Sequence, residues 1–105
     1  MIEHYCVSEK AIEHYFCEQM RRLSLPCIKQ FNPYEAGWPD RLVLLPGGLC
    51  WWVEFKSRGK KPTQQQLMRH AKLRAIGHSV EVISSRSQAE DLVEKIKLLA
   101  NYTTL

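Results

Sequence analysis

The sequence is poor in the features that would place it in a membrane or outside a cell. No apolar run approaches the length of about 18 residues that a bilayer span needs. The opening Met-Ile-Glu-His-Tyr has neither the basic region nor the apolar stretch of a secretory leader. The cysteines Cys6, Cys17, Cys27 and Cys50 form no C-x-x-C pair and have no finger spacing to a histidine. That argues against a zinc finger or a disulfide framework, and for reduced, buried thiols in an intracellular setting. Among His4, His14, His70 and His78 no H-x-x-x-H or H-E-x-x-H spacing occurs, so zinc-protease chemistry has no support. Internal repeats and low-complexity segments are also missing. What remains, 105 residues with 45% hydrophobic and 10% aromatic content, suffices for one domain with a modest core.

One more thing is missing locally. From Lys56 to Arg74 there is no acidic residue, while seven basic ones occur, including Arg58, Lys60, Lys61, Arg69 and Lys72. The net charge of +4 is therefore polarised rather than spread. Taken alone, such a strip reads equally as a solvated lysine-rich loop and helix face or as a track for a polyanion such as nucleic acid.

The stretch before the strip tips that balance. Gly37 to Lys56 contains two short apolar runs, rich in Leu, Val, Trp and Phe, separated by Pro46-Gly47-Gly48, and this is a hairpin signal. A three-residue loop sets Leu45 opposite Leu49 and Asp40 opposite Glu54. A two-residue Gly47-Gly48 loop would instead pair Asp40 with Phe55 and send the acids to opposite faces. In the first register two carboxylates confront each other at the open end, with Lys56 on the same face as Glu54. Like charges directly opposite each other are destabilising, and a divalent cation is the economical compensation.

In chain order, Ser8 reads as the N-cap of an amphipathic helix over residues 9 to 23, with Ile12, Phe16, Met20 and Leu23 as its apolar stripe. Glu9 lies about 25° from the centre of that stripe and Glu13 about 65° away, so Glu9 is expected to point inward. A lone acid there is commonly a helix-dipole partner; its other role is a third cation-facing carboxylate. Leu25-Pro26 ends the helix and Cys27 to Phe31 reads as a strand. A turn-rich connector from Asn32 to Gly37 leads into the hairpin. Beyond it, Thr63 caps a helix to Ile76 that Gly77 closes, Ser79 to Ile83 is a strand, and Ser87 caps a last helix carrying Leu92, Ile96 and Leu99. The last five residues are expected to fray. The order is αβββαβ plus a C-terminal helix. The fold class is α/β (α+β), with a four-stranded mixed sheet, three strands antiparallel and one parallel, flanked by helices.

Pro39-Asp40, thirteen intervening residues and Glu54-Phe55-Lys56 resemble the signature of the PD-(D/E)xK nuclease superfamily. With Ser8-Glu9, Gly37-Trp-Pro-Asp-Arg-Leu-Val-Leu-Leu-Pro-Gly-Gly, Trp-Val-Glu-Phe-Lys and Thr-Gln-Gln-Gln, the chain more narrowly resembles the stand-alone VRR-NUC nucleases, small proteins typical of phages and their hosts. The likeness runs from about Ser8 to Ile83. It implies a restriction-endonuclease-like core in which Asp40, Glu54, the backbone carbonyl of Phe55 and Glu9 hold Mg²⁺ or Mn²⁺, the hard cations that oxygen ligands suit. Lys56 would orient or activate the attacking water. Gln66 would hold that water or the lysine, with Gln64 and Gln65 as alternative registers. Cleavage should leave a 5′-phosphate. The location implied is the cytoplasm of a bacterial or phage-infected cell.

Phosphodiester hydrolysis needs an activated water and neutralised phosphoryl charge, which a cation at the acid pair helps to supply, while the basic strip binds flanking phosphates. One site can nick one strand; resolving a four-way or otherwise branched DNA needs two symmetric nicks, as a homodimer resembling the Holliday-junction resolvases would deliver. The alternatives are a nucleic-acid-binding or assembly module without turnover and a less selective nickase, and an RNA substrate stays open. His70 shares a helix face with Gln66, yet a structural or surface role is favoured over nucleic-acid contact. Trp51 and Trp52 alternate to opposite faces, which makes core packing the better account of at least one.

Overall fold

The computed structural model describes residues 8–103. Ser8 is extended and its side chain accepts from the Ala11 N–H, starting helix α1, Glu9–Arg22. The apolar residues Ile12, Phe16 and Met20 recur on one side of α1 and are fully buried. Strands β1 (Cys27–Lys29), β2 (Arg41–Leu44) and β3 (Cys50–Phe55) follow, then helix α2 (Gln64–Ala75), strand β4 (Ser79–Ile83) and helix α3 (Arg86–Thr103). The sheet order is β1-β2-β3-β4, antiparallel except for the parallel β3–β4 pair. The mixed sheet expected from the element order is thus present.

The hairpin register is the three-residue one. Leu45 N–H donates to the Leu49 carbonyl at 2.8 Å across Pro46–Gly48, where Gly47 and Gly48 both take positive φ. Arg41 pairs with Val53 and Leu42 with Trp52, so Asp40 and Glu54 are the next facing positions.

Alternation along β3 divides the sheet into two unlike faces. Val53 and Phe55 turn to the side covered by α1 and α3, joining Phe16, Met20, Val43, Ile83, Leu92 and Ile96 in the main core. The Phe16 and Phe55 rings meet at 5.6 Å. Trp52 turns to the α2 side, where a smaller cluster holds Leu73 and Val80, with Trp38 and Leu42 against it. Trp51 packs on the main core and Trp52 on the smaller one, so both tryptophans are packing residues.

Some local expectations shift. Strand β1 stops at Lys29 rather than Phe31, because its partner β2 begins at Arg41, opposite Lys29; Phe31 is 81% exposed. The cap of α3 is supplied by Ser85, whose hydroxyl accepts from the Gln88 N–H at 3.1 Å, and Ser87 lies inside the helix. Helix α3 continues to Thr103, past the point where fraying was expected, and residues 104–105 lie outside the described part. Cys17, Cys27 and Cys50 are free thiols as expected but only half-buried, with the Cys17 and Cys27 sulfurs 3.7 Å apart; Cys6 and His4 lie outside the described residues. No helix among the described residues is long and apolar enough to cross a membrane.

Candidate active site

The site forms where the end of β3, the residue before β2 and the first turns of α2 meet. Asp40 is placed by the loop that precedes β2. Gly37 in that loop has φ +91°, and a Cβ there would come within 2.6 Å of the Gln65 carbonyl oxygen, so only glycine lets the loop lie directly on the start of α2. Pro39 is fully buried behind it. Across from Asp40, the Phe55 N–H donates to Asp40 Oδ2 at 2.8 Å, which fixes that carboxylate to the end of β3.

Glu54 is 1% exposed. Its Oε2 accepts from Gln66 Nε2 at 2.9 Å and lies 3.6 Å from Lys56 Nζ. Its Oε1 lies 3.6 Å from His70 Nε2 and has no hydrogen-bond partner among the described residues. Gln66 reaches this position because it is the third residue of α2 in a complete capping box: the Gln66 N–H donates to the Thr63 hydroxyl, and the Thr63 N–H donates to Gln66 Oε1 at 2.8 Å. One amide side chain therefore ties the helix start to the buried acid. Among the three neighbouring glutamines it is Gln66 that meets the site, and its partner is Glu54 rather than Lys56.

The electrostatics follow from this crowding. Burial, the nearby Asp40 charge and a weaker contribution from Glu9 push Glu54 up to about 7, against the opposing pull of Lys56. Asp40 is also raised, by burial, despite the stabilising Phe55 N–H. His70, 1% exposed, is pushed down by burial and by the charges of Arg74 and Lys56, so it stays neutral near pH 7. Two close acids, each held above its ordinary range, and one buried carboxylate oxygen without a partner form a hard-oxygen donor set that a divalent cation fits.

Glu9 departs from the inward orientation expected of it: it is exposed. It lies one turn beyond Ile12, where α1 has run past the packed core, although its charge is still felt at Glu54. No three His, Cys, Asp or Glu side chains among the described residues converge as a metal cluster, so Glu9 is not grouped with the acid pair. Glu13 is occupied otherwise, accepting from Arg41 Nε at 2.7 Å and Lys29 Nζ at 3.1 Å. Although burial pushes Glu13 up, those two cations hold it below its ordinary range.

The basic residues lie around the site rather than within it. Arg58, Lys60 and Lys61 are exposed in the loop after β3. Arg69 and Lys72, with Glu35, Ala36, Gln65 and Met68, line a shallow cavity of about 210 Å³ on the outer side of α2. The Arg69 guanidinium lies 4.4 Å over the Trp38 ring and reaches the Ala36 carbonyl at 3.4 Å. A second, larger cavity of about 410 Å³ between α1 and β1 is lined by Lys10, Glu13, His14, Cys17, Lys29 and Arg41. Its cations are scattered through the sequence, so no run of charge marks it.

A carboxylate pair, a lysine two residues after the second acid and a glutamine from the following helix, all on a mixed αβββαβ core, define a nuclease of the PD-(D/E)xK class. A protein of Acyrthosiphon pisum secondary endosymbiont phage 1 named "Putative nuclease p44" is 41% identical over 80 residues, which are 76% of this chain and 86% of that protein. A solved structure named "VRR_NUC domain" superposes with a TM-score of 0.76 at 32% identity, covering 84% of this chain and 97% of its own. No family model matches the sequence. The chain belongs to the VRR-NUC family.

Proposed function

We propose that the protein is a Mg²⁺- or Mn²⁺-dependent, structure-selective DNA endonuclease that acts as a homodimer on four-way or other branched DNA inside the cell. The observation that carries the nuclease reading is the acid pair: buried Glu54 rests beside half-buried Asp40 with both acids raised and with Lys56 Nζ 3.6 Å from Glu54 Oε2. In this reading Asp40, Glu54 and the Phe55 carbonyl hold the cation, with Glu9 at the rim of the site. When bound, the cation would neutralise phosphoryl charge and make a water more acidic. Lys56 aligns that water and offsets the charge that builds on the phosphate. Gln66 keeps Glu54 turned toward the site. Arg58, Lys60, Lys61, Arg69 and Lys72 bind flanking phosphates, which makes affinity fall with salt. The products carry a 5′-phosphate.

The dimer and the branched substrate rest on the geometry of the task, since two symmetric nicks need two sites. Labelled four-way junction, flap, linear duplex and RNA substrates, incubated with Mg²⁺, Mn²⁺ or EDTA and with the Asp40→Ala and Lys56→Ala variants, test the proposal. The expected result is cation-dependent paired nicking of the junction by wild type alone, from a species that sediments as a dimer. Equal nicking of linear and branched DNA would remove the substrate assignment. Binding without any cation-dependent product would favour a module without turnover, and retained cleavage by Asp40→Ala would move the site elsewhere.

A further inference from the structure

Of the two buried polar or charged residues among the described ones, Glu54 and His70, the histidine has no role so far. His70 is 1% exposed, and neither of its ring nitrogens has a hydrogen-bond partner among the described residues. A buried polar side chain is ordinarily paired, because leaving a donor or acceptor unsatisfied costs stability. Three residues further along α2, Leu73 enters the apolar cluster with Trp52 and Val80. An imidazole in such a place works against the fold.

Its surroundings show what it faces. Gln66 and His70 stand four residues apart on α2 and so share one side of the helix, and both look onto Glu54. Gln66 holds Oε2 at 2.9 Å, whereas His70 Nε2 lies 3.6 Å from Oε1, the carboxylate oxygen with no hydrogen-bond partner among the described residues. The two groups thus confront each other just beyond hydrogen-bond length. Each carboxylate oxygen has two lone pairs, so a donor on each still leaves capacity for a cation. Carboxylates that bind metals are commonly held in this way by surrounding donors.

We propose that His70 is a positioning residue, whose Nε2–H closes on Glu54 Oε1 and, with Gln66 on Oε2, fixes the plane of that carboxylate toward the cation. This rests on the cation-dependent nuclease reading and extends it to a residue that touches neither the cation nor the phosphate. The pair Gln66 and His70 makes one face of α2 a two-point clamp on Glu54, and it gives His70 Nε2 a partner.

The test is calorimetric titration of Mn²⁺ into the metal-free full-length chain without nucleic acid, together with melting temperature in EDTA, for wild type, His70→Leu and His70→Gln. His70→Leu should melt at or above wild type and bind Mn²⁺ about tenfold more weakly. His70→Gln, which returns an N–H near the position of Nε2, should restore most of the affinity. A drop in the melting temperature of His70→Leu would overturn the proposal by making the histidine structural. So would a His70→Leu affinity within about twofold of wild type, or a His70→Gln as weak as His70→Leu. A His70→Leu that fails to fold would overturn it in the same way, and His70→Met against His70→Gln repeats the comparison of length with and without a donor. Saturable Mn²⁺ binding by wild type that ignores these substitutions sinks the role of His70 alone, whereas wild type without saturable binding sinks the cation site and this proposal with it.

Discussion

The two faces of the central strand β3 are built on opposite rules. On the α1 and α3 side, Val53 and Phe55 enter a layer of aliphatic and aromatic side chains that are almost wholly buried. On the α2 side, the neighbouring positions carry Trp52, Glu54 and Lys56, and the apolar cluster there is small. That second face buries a carboxylate beside another and an imidazole without a hydrogen-bond partner among the described residues. One side of a six-residue strand gives the domain its stability, and the other spends part of it on holding charge in place.

The contrast can be broken from either side. Phe16→Ala removes a fully buried ring in contact with Phe55 and should cost about 3–5 kcal/mol of stability, read by denaturant unfolding, with the site geometry lost only as the domain unfolds. Asp40→Asn should do the reverse. Cleavage should fall by at least about a hundredfold, since changes in groups that merely support a metal ligand already cost 10–100-fold, while the melting temperature in EDTA holds or rises. A large stability loss in Asp40→Asn would mean that the acid is structural.

The pH dependence of the metal-free protein sharpens the same point. Glu54 titrates near 7 in the folded chain, against an ordinary value of 4.5. Between those values the folded state keeps a proton that the unfolded chain has released, so stability is highest below about pH 4.5 as far as this group is concerned and falls as pH rises toward 7. The loss should be on the order of 2–3 kcal/mol, should be absent in Glu54→Gln, and should be offset by saturating Mn²⁺. Glu13 acts in the opposite sense, because its ion pairs are lost as pH falls through its depressed pKa. The smallest effect belongs to Lys72→Ala: an exposed lysine beside the α2 cavity should contribute a few-fold in DNA affinity and about one unit of salt slope, with stability unchanged.

How much of this was legible in the sequence depended on whether local chemistry or distant packing decided it. The hairpin could be read from the Pro46-Gly47-Gly48 break, whereas its register stayed open between a three-residue and a two-residue loop until the bond from the Leu45 N–H to the Leu49 carbonyl placed Asp40 opposite Glu54. Gln66 could be read from its spacing to Thr63, although its bond to Glu54 depends on where α2 lands on the sheet. Glu9 is exposed although it stands near the centre of the apolar stripe, because helical periodicity gives a direction around the axis and says nothing about where along the axis the core ends. The isolation of His70 was hidden for a related reason: sharing a face with Gln66 is visible in the spacing, but the missing partner is a property of the packed layer. The cavity lined by Lys10, Lys29 and Arg41 joins residues from three separate elements, and only the antiparallel pairing of β1 with β2 beneath α1 assembles it.

The measurement that tests the central claim most directly is thermal melting of wild type and Glu54→Gln across a Mn²⁺ titration at pH 7.5. If the α2 face gives up stability to hold a cation, Glu54→Gln melts higher than wild type in EDTA, wild type gains stability with each increment of Mn²⁺ and overtakes it, and the variant does not respond. A wild type indifferent to Mn²⁺, or a Glu54→Gln that gains as much from it, would contradict the account.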